Sequence, residues 1–367
     1  MGQSIVLNQS IENKKILVAP LNWGLGHAVR CIPIIQALKN DGFIPVVASD
    51  GDSLSYLRQI FPNLSSYELP STSVEYTSKG SLLKYKLLQQ APVFLKTVYK
   101  ERKCVQEIHC IEQLSGIISD NRFGIRLEGI PSIYITHQLQ VLSGSTSRLT
   151  TRIHENIISR FDECWVPDFQ INGLAGLLSR PKAKMEKVRF IGPLSSFKKE
   201  KKEKKIDILV ILSGPEPQRS LLESKIKEEL SGFNGVCLIV RGLIEKKQVY
   251  SKHKNITLVN FMLRSELKSS IAESHLVISR SGYTSIMDYY MMESKAFFVP
   301  TPGQNEQEYL AENLKEQGVA DYSRQSEFSL DKVKNSETFK GFKHKKTSNP
   351  DFDKSLFDVF KKTFTSK

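Results

Sequence analysis

Cysteine is scarce and unpaired in this chain of 367 residues: Cys31, Cys104, Cys110, Cys164 and Cys237 are odd in number, scattered and free of any CxxC pair. That pattern excludes a disulfide scaffold and argues against a zinc site, so reduced thiols and no metal are expected. Long apolar runs are missing too. No stretch approaches the roughly 18 uninterrupted apolar residues of a membrane span. The opening MGQSIVLNQSIENKK lacks the basic start and apolar centre of a secretory signal, so the chain is expected to stay in the cytoplasm. Acidic residues are outnumbered, 39 Asp and Glu against 52 Lys and Arg, which leaves a net charge of +13. Such a surplus attracts anionic partners. Much of it falls in the runs Lys182 to Lys187, Lys198 to Lys205 and Lys340 to Lys346, of the kind that forms solvated loops. No RNP pattern, zinc finger or helix-turn-helix accompanies the charge, so nucleic acid is not an expected partner.

What is present fits a soluble globular protein, with 40% hydrophobic and 25% charged residues. The length is about twice that of one domain. Apolar runs at Ile16 to Pro20, Ile44 to Ala48, Gly116 to Ser119, Ser132 to Ile135, Glu163 to Val166 and Val188 to Ile191 read as buried strands alternating with helices. The pattern stops where FKKEKKEKK supplies charge with nothing to bury. It restarts at Ile206 to Leu212, Val236 to Val240, Ile256 to Val259, Leu276 to Ile278 and Ala296 to Val299. The expectation is an α/β protein with two doubly wound, Rossmann-like parallel sheets facing across a cleft. Its N-terminal domain spans 14–195, a charged linker 196–205 and its C-terminal domain 206–345. A helix over 350–364 is expected to pack on one of the domains, because Phe352, Leu356, Val359 and Phe360 recur at helical spacing. Ligands of such a fold bind outside the carboxyl ends of the strands.

Two segments carry chemistry. Asn22-Trp23-Gly24-Leu25-Gly26-His27 joins the first strand to the first helix. Gly24 and Gly26 let the backbone approach a ligand, the helix start offers free amides, and His27 faces the cleft. The third glycine of the dinucleotide fingerprint is absent, since Val29 takes its place. Asp50 ends the second strand where a nicotinamide enzyme keeps its ribose acid, which leaves such an enzyme as a rival. Asp50-Gly51-Asp52 also spells a DxD, and reads better as a turn and helix cap than as a metal motif. The second segment is LVISRSGYTSIMDYYMMESKAFFVPTPGQNEQEYLAENLKEQGVA from Leu276. A strand runs into Arg280-Ser281-Gly282-Tyr283-Thr284, a helix follows with Asp288 one turn in, and Pro302-Gly303 turns into a helix start rich in amides and carboxylates. Small residues at a helix start suit a diphosphate, and carboxylates and amides suit sugar hydroxyls.

This second segment resembles the C-terminal signature of glycosyltransferase family 28. That family contains the transferase that adds N-acetylglucosamine to lipid I in peptidoglycan synthesis, and it reads approximately SR-small-G-x-x-T-x-x-E, then P-x-P-x-x-x-x-x-Q-x-x-N-A, then L-x-x-x-G-x-A. The glycine loop ending in His27 and the stretch Thr136-His137-Gln138 resemble other parts of the family. The resemblance implies a GT-B fold and an inverting transfer of a hexose or N-acetylhexosamine from a UDP-sugar, with no cofactor. The implied acceptor is a glycan or a lipid-linked molecule. Carried over by position, His27 would be the general base, Ser281, Gly282, Tyr283 and Thr284 would meet the diphosphate with help from Arg280, and Asp288 would hold the ribose. Gln307 and Glu308 would contact the donor sugar, and Phe261 and Met262 the uracil. Ser213 and Gly214 fall at a second phosphate loop, where Pro215, Glu216 and Pro217 replace the family's small residues. A sugar-nucleotide epimerase on the same fold and a non-catalytic nucleotide-sugar-binding protein remain alternatives. Between Lys79 and Lys103, Leu, Phe, Val and Tyr interleave with lysines. That composition suits either an ordinary helix pair or peripheral contact with an anionic membrane at the cytoplasmic face of the inner membrane.

Overall fold

The computed structural model describes residues 14–71, 83–142, 147–182, 185–243, 245, 247–344 and 355–361, with the side chains of 83–94 excepted. Several positions named above lie outside the described residues: Lys79 to Leu82, Lys184, Lys345, Lys346, Phe352 and the ends 350–354 and 362–364 of the expected last helix.

The first half contains β1 (Lys15–Pro20), α1 (Gly26–Asn40), β2 (Ile44–Ser49), α2 (Gly51–Ile60), β3 (Ser66–Glu68), α3 (Leu83–Glu112), β4 (Gly116–Asp120), β5 (Ser132–Ile135), α4 (Ser147–Ile158), β6 (Glu163–Val166) and β7 (Val188–Phe190). Its strands lie in the order β3-β2-β1-β4-β5-β6-β7, all parallel. The second half contains β8 (Ile206–Ile211), α5 (Gln218–Leu230), β9 (Cys237–Val240), β10 (Tyr250–His253), β11 (Ile256–Val259), α6 (Arg264–Glu273), β12 (Ser274–Ser279), α7 (Tyr283–Met292), β13 (Ala296–Phe298), α8 (Asn305–Glu316), β14 (Asp321–Tyr322), α9 (Leu330–Asn335) and α10 (Asp358–Lys361). Here the order is β10-β11-β9-β8-β12-β13-β14, parallel except for the β10–β11 edge pair.

Central strands such as β1 and β4 are buried along nearly their whole length, because helices cover both faces, and this is why they read as continuous apolar runs. The short, half-exposed β3 and β14 and the fully exposed β10 lie at sheet edges and carry no such run, which is why periodicity did not mark them. Leaving aside the antiparallel edge strand β10, the strand order in each sheet reverses direction once, between β1 and β4 and between β8 and β12. Those two crevices are the ligand positions of doubly wound sheets. One continuous apolar cluster joins Ile34 and Ile35 of α1 to Ile286 and Met287 of α7, so the lobes meet through packed side chains.

Two expectations need correction. The segment 196–205 does bury something: Phe197 is almost fully enclosed, with the Arg264 guanidinium 3.9 Å above its ring. Nearby, Lys204 donates to the carbonyls of Ala272 and Ser274. Of the expected helix over 350–364 the described residues are 355–361, where 355–357 form a turn and only α10 (Asp358–Lys361) is helical. It lies on the first lobe, where Phe357 and Phe360 pack against Phe43 and Trp165. The chain thus crosses back after completing the second sheet.

Candidate active site

The first crevice is built around Asp120, the last residue of β4 and fully buried. After β1 the chain turns through Gly24 at φ +66°, a left-handed conformation costly to other residues, and enters α1 at Gly26. His27 then points back to Asp120, with Nδ1 3.1 Å from Oδ1. One turn along, Arg30 donates from Nε to Oδ2 at 2.7 Å and from Nη2 to Oδ1. Burial alone would raise the Asp120 pKa, but Arg30 and then His27 hold it well below the usual carboxylate range. An ionised carboxylate accepts only, so His27 carries its proton on Nδ1 and leaves Nε2 with a free lone pair. Burial, then the Arg30 charge, lowers the His27 pKa and keeps the ring neutral.

The network continues into the second lobe. Arg30 Nη1 lies 3.3 Å from His137 Nδ1, and His137 Nε2 lies 2.8 Å from Glu306 Oε1 in the first turn of α8. Gln138 donates to the other Glu306 oxygen. The His137 ring stacks on Tyr283 at 4.2 Å between centroids, and the Tyr283 hydroxyl donates to the Pro167 carbonyl. Beside it, the Thr284 hydroxyl donates to the Gly26 carbonyl at 3.3 Å. Gly26 therefore serves a close lobe contact, since a Cβ there would sit 3.0 Å from Thr284 Oγ1.

The second crevice has the opposite character. The α7 start has no side-chain cap and no acidic residue in its first turn, and space around Gly282 is open. Free amides and a positive dipole end there favour an anion. Arg280 does not reach into this space as expected. Its guanidinium is buried, giving Nη1 to the carbonyls of Val299 and Pro300 and Nη2 to the Gln218 carbonyl and the Gln325 side chain. It ties together the segments that follow β8, β12 and β13, and burial pushes its pKa down to about 10. Among the described residues, only its Nε is left without a partner, and the buried Thr301 hydroxyl is likewise unpaired. Both flank the exposed Ser213-Gly214 loop: a Cβ on Gly214, at φ +100°, would lie 3.5 Å from Thr301 Oγ1 and 4.0 Å from Arg280 Nε. Buried polar atoms left unpaired by protein mark a place for a ligand or water.

Other expected contacts are engaged within the protein. Ser281 donates to the Gln307 carbonyl. Asp288 Oδ1 accepts from Ser195 Oγ and from Arg264 Nη2 at 2.8 Å, so only Oδ2 is left without a bond from the described residues. Gln307 accepts from the Thr301 amide and donates to Gln304, and Glu308 accepts from the Gly303 amide, so both fold onto the 301–304 loop. Phe261 and Met262 are half-buried just past β11. Asp50 pairs with Arg122, which removes it as a free ribose acid. Among the described residues no cluster of three His, Cys, Asp or Glu could hold a metal ion. Asp120 and Arg30 are not foreseen, and Glu306 is foreseen only among the side chains suited to sugar hydroxyls, not as the partner of His137. An acid closing a buried strand and an arginine one turn after His27 on a buried helix were signals for the first two; Glu306 becomes visible only once the lobes are placed.

Two doubly wound sheets facing one another, each with its crevice turned to the other lobe, define the GT-B class of glycosyltransferase fold. Residues 218–362 match the glycosyltransferase family 28 C-terminal domain. Over 336 residues, covering 88% of each sequence, the chain is 24% identical to a UDP-N-acetylglucosamine–N-acetylmuramyl-(pentapeptide) pyrophosphoryl-undecaprenol N-acetylglucosamine transferase of Pasteurella multocida strain Pm70. Similar solved structures include the glycosyltransferase of kitacinnamycin, at TM-score 0.62 and 13% identity over 88% of this chain and 89% of that one. Another is MurG of Acinetobacter baumannii, at TM-score 0.53 and 14% identity with the same coverage. The second lobe thus matches the glycosyltransferase family 28 C-terminal domain, and the whole chain has the GT-B fold.

Proposed function

We propose that the protein transfers a hexose or N-acetylhexosamine from a UDP-sugar to a hydroxyl of a lipid- or polysaccharide-linked acceptor, with inversion. The reading rests on one contact. The Thr284 hydroxyl meets the carbonyl of Gly26, the residue before His27, which brings the start of α1 to the uncapped start of α7. In that arrangement His27 Nε2 takes the acceptor proton while the hydroxyl oxygen bonds to the anomeric carbon. The bond to the diphosphate breaks as the new one forms, and its electrons leave on UDP. The α7 amides meet the charge developing on the diphosphate. Asp120 holds the ring tautomer and steadies the imidazolium, and Asp288 Oδ2 is free for a ribose hydroxyl.

The relative from Pasteurella multocida acts, by its name, on a pyrophosphoryl-undecaprenol acceptor, which favours a lipid-linked acceptor here. On α3, Leu95, Lys96, Tyr99 and Lys100 are exposed together, an apolar and basic surface suited to anionic lipid. No described helix is long and apolar enough to cross a membrane. Melting curves with a panel of UDP-sugars test the donor, since a ligand of the folded state raises the midpoint by mass action. Stabilisation by uridine nucleotides and none by nicotinamide nucleotides is expected, and the reverse would sink the assignment. Failure to sediment with anionic vesicles at low salt would remove the membrane contact.

A further inference from the structure

We propose that Glu306 is a positioning residue: from the second lobe it orients the His27 base of the first lobe through His137, Arg30 and Asp120, so that the base is set only when the lobes meet. The proposal rests on the reading of His27 as base. A guanidinium has N–H donors and no acceptor. His137 Nδ1, 3.3 Å from Arg30 Nη1, must therefore present its lone pair, and the ring proton sits on Nε2. That proton is donated to Glu306 Oε1 at 2.8 Å. Glu306 thus holds, from the second lobe, the same His137 tautomer that Arg30 requires from the first. Burial opposes its ionisation, but His137, then His27 and Arg30, keep its pKa below the ordinary value. Gln138 fixes the second oxygen, and stacking on Tyr283 fixes the ring plane.

With Nη1 engaged by His137, Arg30 presents Nε and Nη2 as a fork to Asp120. Asp120 in turn accepts the His27 Nδ1 proton and leaves Nε2 bare. Arg30, Asp120, His27 and His137 are at most 11% exposed and all belong to the first lobe. Glu306, at 29%, comes from the second. The neighbours Gln307 and Glu308 turn back onto their own loop, so of these three consecutive side chains Glu306 is the one that crosses. Opening the lobes withdraws it and frees His137 to flip its tautomer, which loosens the fork on Asp120.

Nitrogen-15 spectra of the full chain labelled at its seven histidines, with His27 and His137 assigned from their alanine variants, read the tautomers directly. In the wild type His27 is expected protonated on Nδ1 and His137 on Nε2. Glu306→Ala should give mixed tautomers at both. Glu306→Gln, which keeps an oxygen facing Nε2, should restore them. A His27 tautomer unmoved by Glu306→Ala overturns the proposal. In turnover, followed as UDP release from UDP-N-acetylglucosamine, Glu306→Ala should lower kcat about tenfold at constant KM, within the usual range of coupling between sites. It should have no further effect in a His27→Ala background, because groups acting as one unit are not additive. A further tenfold loss in that background overturns the relay and leaves the base reading standing, whereas wild-type turnover in His27→Ala itself removes the base reading. A raised KM at constant kcat would make Glu306 a sugar contact and also overturns the proposal.

Discussion

The two crevices solve opposite problems with similar strand topology. Between β1 and β4 the charged groups are mutually satisfied: Asp120 takes Arg30 and His27, and Arg30 also meets His137. Between β8 and β12 buried atoms are left waiting, Arg280 Nε and Thr301 Oγ1, beside a glycine loop and an uncapped helix. A base needs its orientation fixed before the substrate arrives, so its surroundings are completed by protein. A ligand seat needs its donors open, because any internal partner would compete with the ligand. The contrast separates where chemistry is prepared from where binding is prepared.

Substitutions on each side should break the contrast in different ways. The largest effect is expected from His27→Ala, which should cut turnover by about 10²- to 10⁴-fold, the usual worth of a general base, with UDP affinity by calorimetry nearly unchanged. Because burial lowers the His27 pKa, the acid limb of the pH–rate profile should fall below the ordinary imidazole value of about 6.5. A limb at or above that value would contradict the closed network.

Asp120→Asn should cost about 3 kcal/mol in denaturant unfolding, since it strands the buried Arg30 charge. It should also change the acid profile. A folded pKa below the unfolded value of about 4 makes the Asp120 contribution complete above that pH and lost as pH falls towards the folded value. The variant should therefore lose less stability than the wild type on acidification. Gly214→Ala should cost about 1 kcal/mol through its positive φ and also weaken UDP binding, checked by melting with and without UDP.

The smallest effect on the free protein is expected from Thr301→Val. Removing a buried hydroxyl with no partner should leave apo stability within about 1 kcal/mol of the wild type. The extra stabilisation by UDP should nevertheless shrink. Equal UDP stabilisation in wild type and variant would mean that the unpaired hydroxyl marks no ligand seat.

The legible parts of the sequence are those whose signal is local. Ile16 to Pro20 and Ile206 to Ile211 are strands because continuous apolar residues can be buried only by cover on both sides. Gly24 and the small residues around Ser281 were legible because a tight turn or a close backbone approach restricts residue type. Arg280 sits on the expected segment but does a different job, since its charge suggested phosphate and only the three surrounding carbonyls reveal a brace. Gln307 and Glu308 meet their own loop, and polar side chains at a helix start serve a sugar or their own loop equally well.

The sequence by itself determined two parallel sheets, the turns that lead into their ligand crevices, and a histidine at the first of them, because each depends on neighbours a few residues away. The tertiary structure alone decided that Asp120 would pair with His27, 93 residues distant, and that Glu306 would reach His137, 169 residues distant. A carboxylate in sequence looks the same whether it is solvated or buried. Its partner is chosen by which strand ends and helix starts the fold brings together, and by the cost of leaving either charge unpaired.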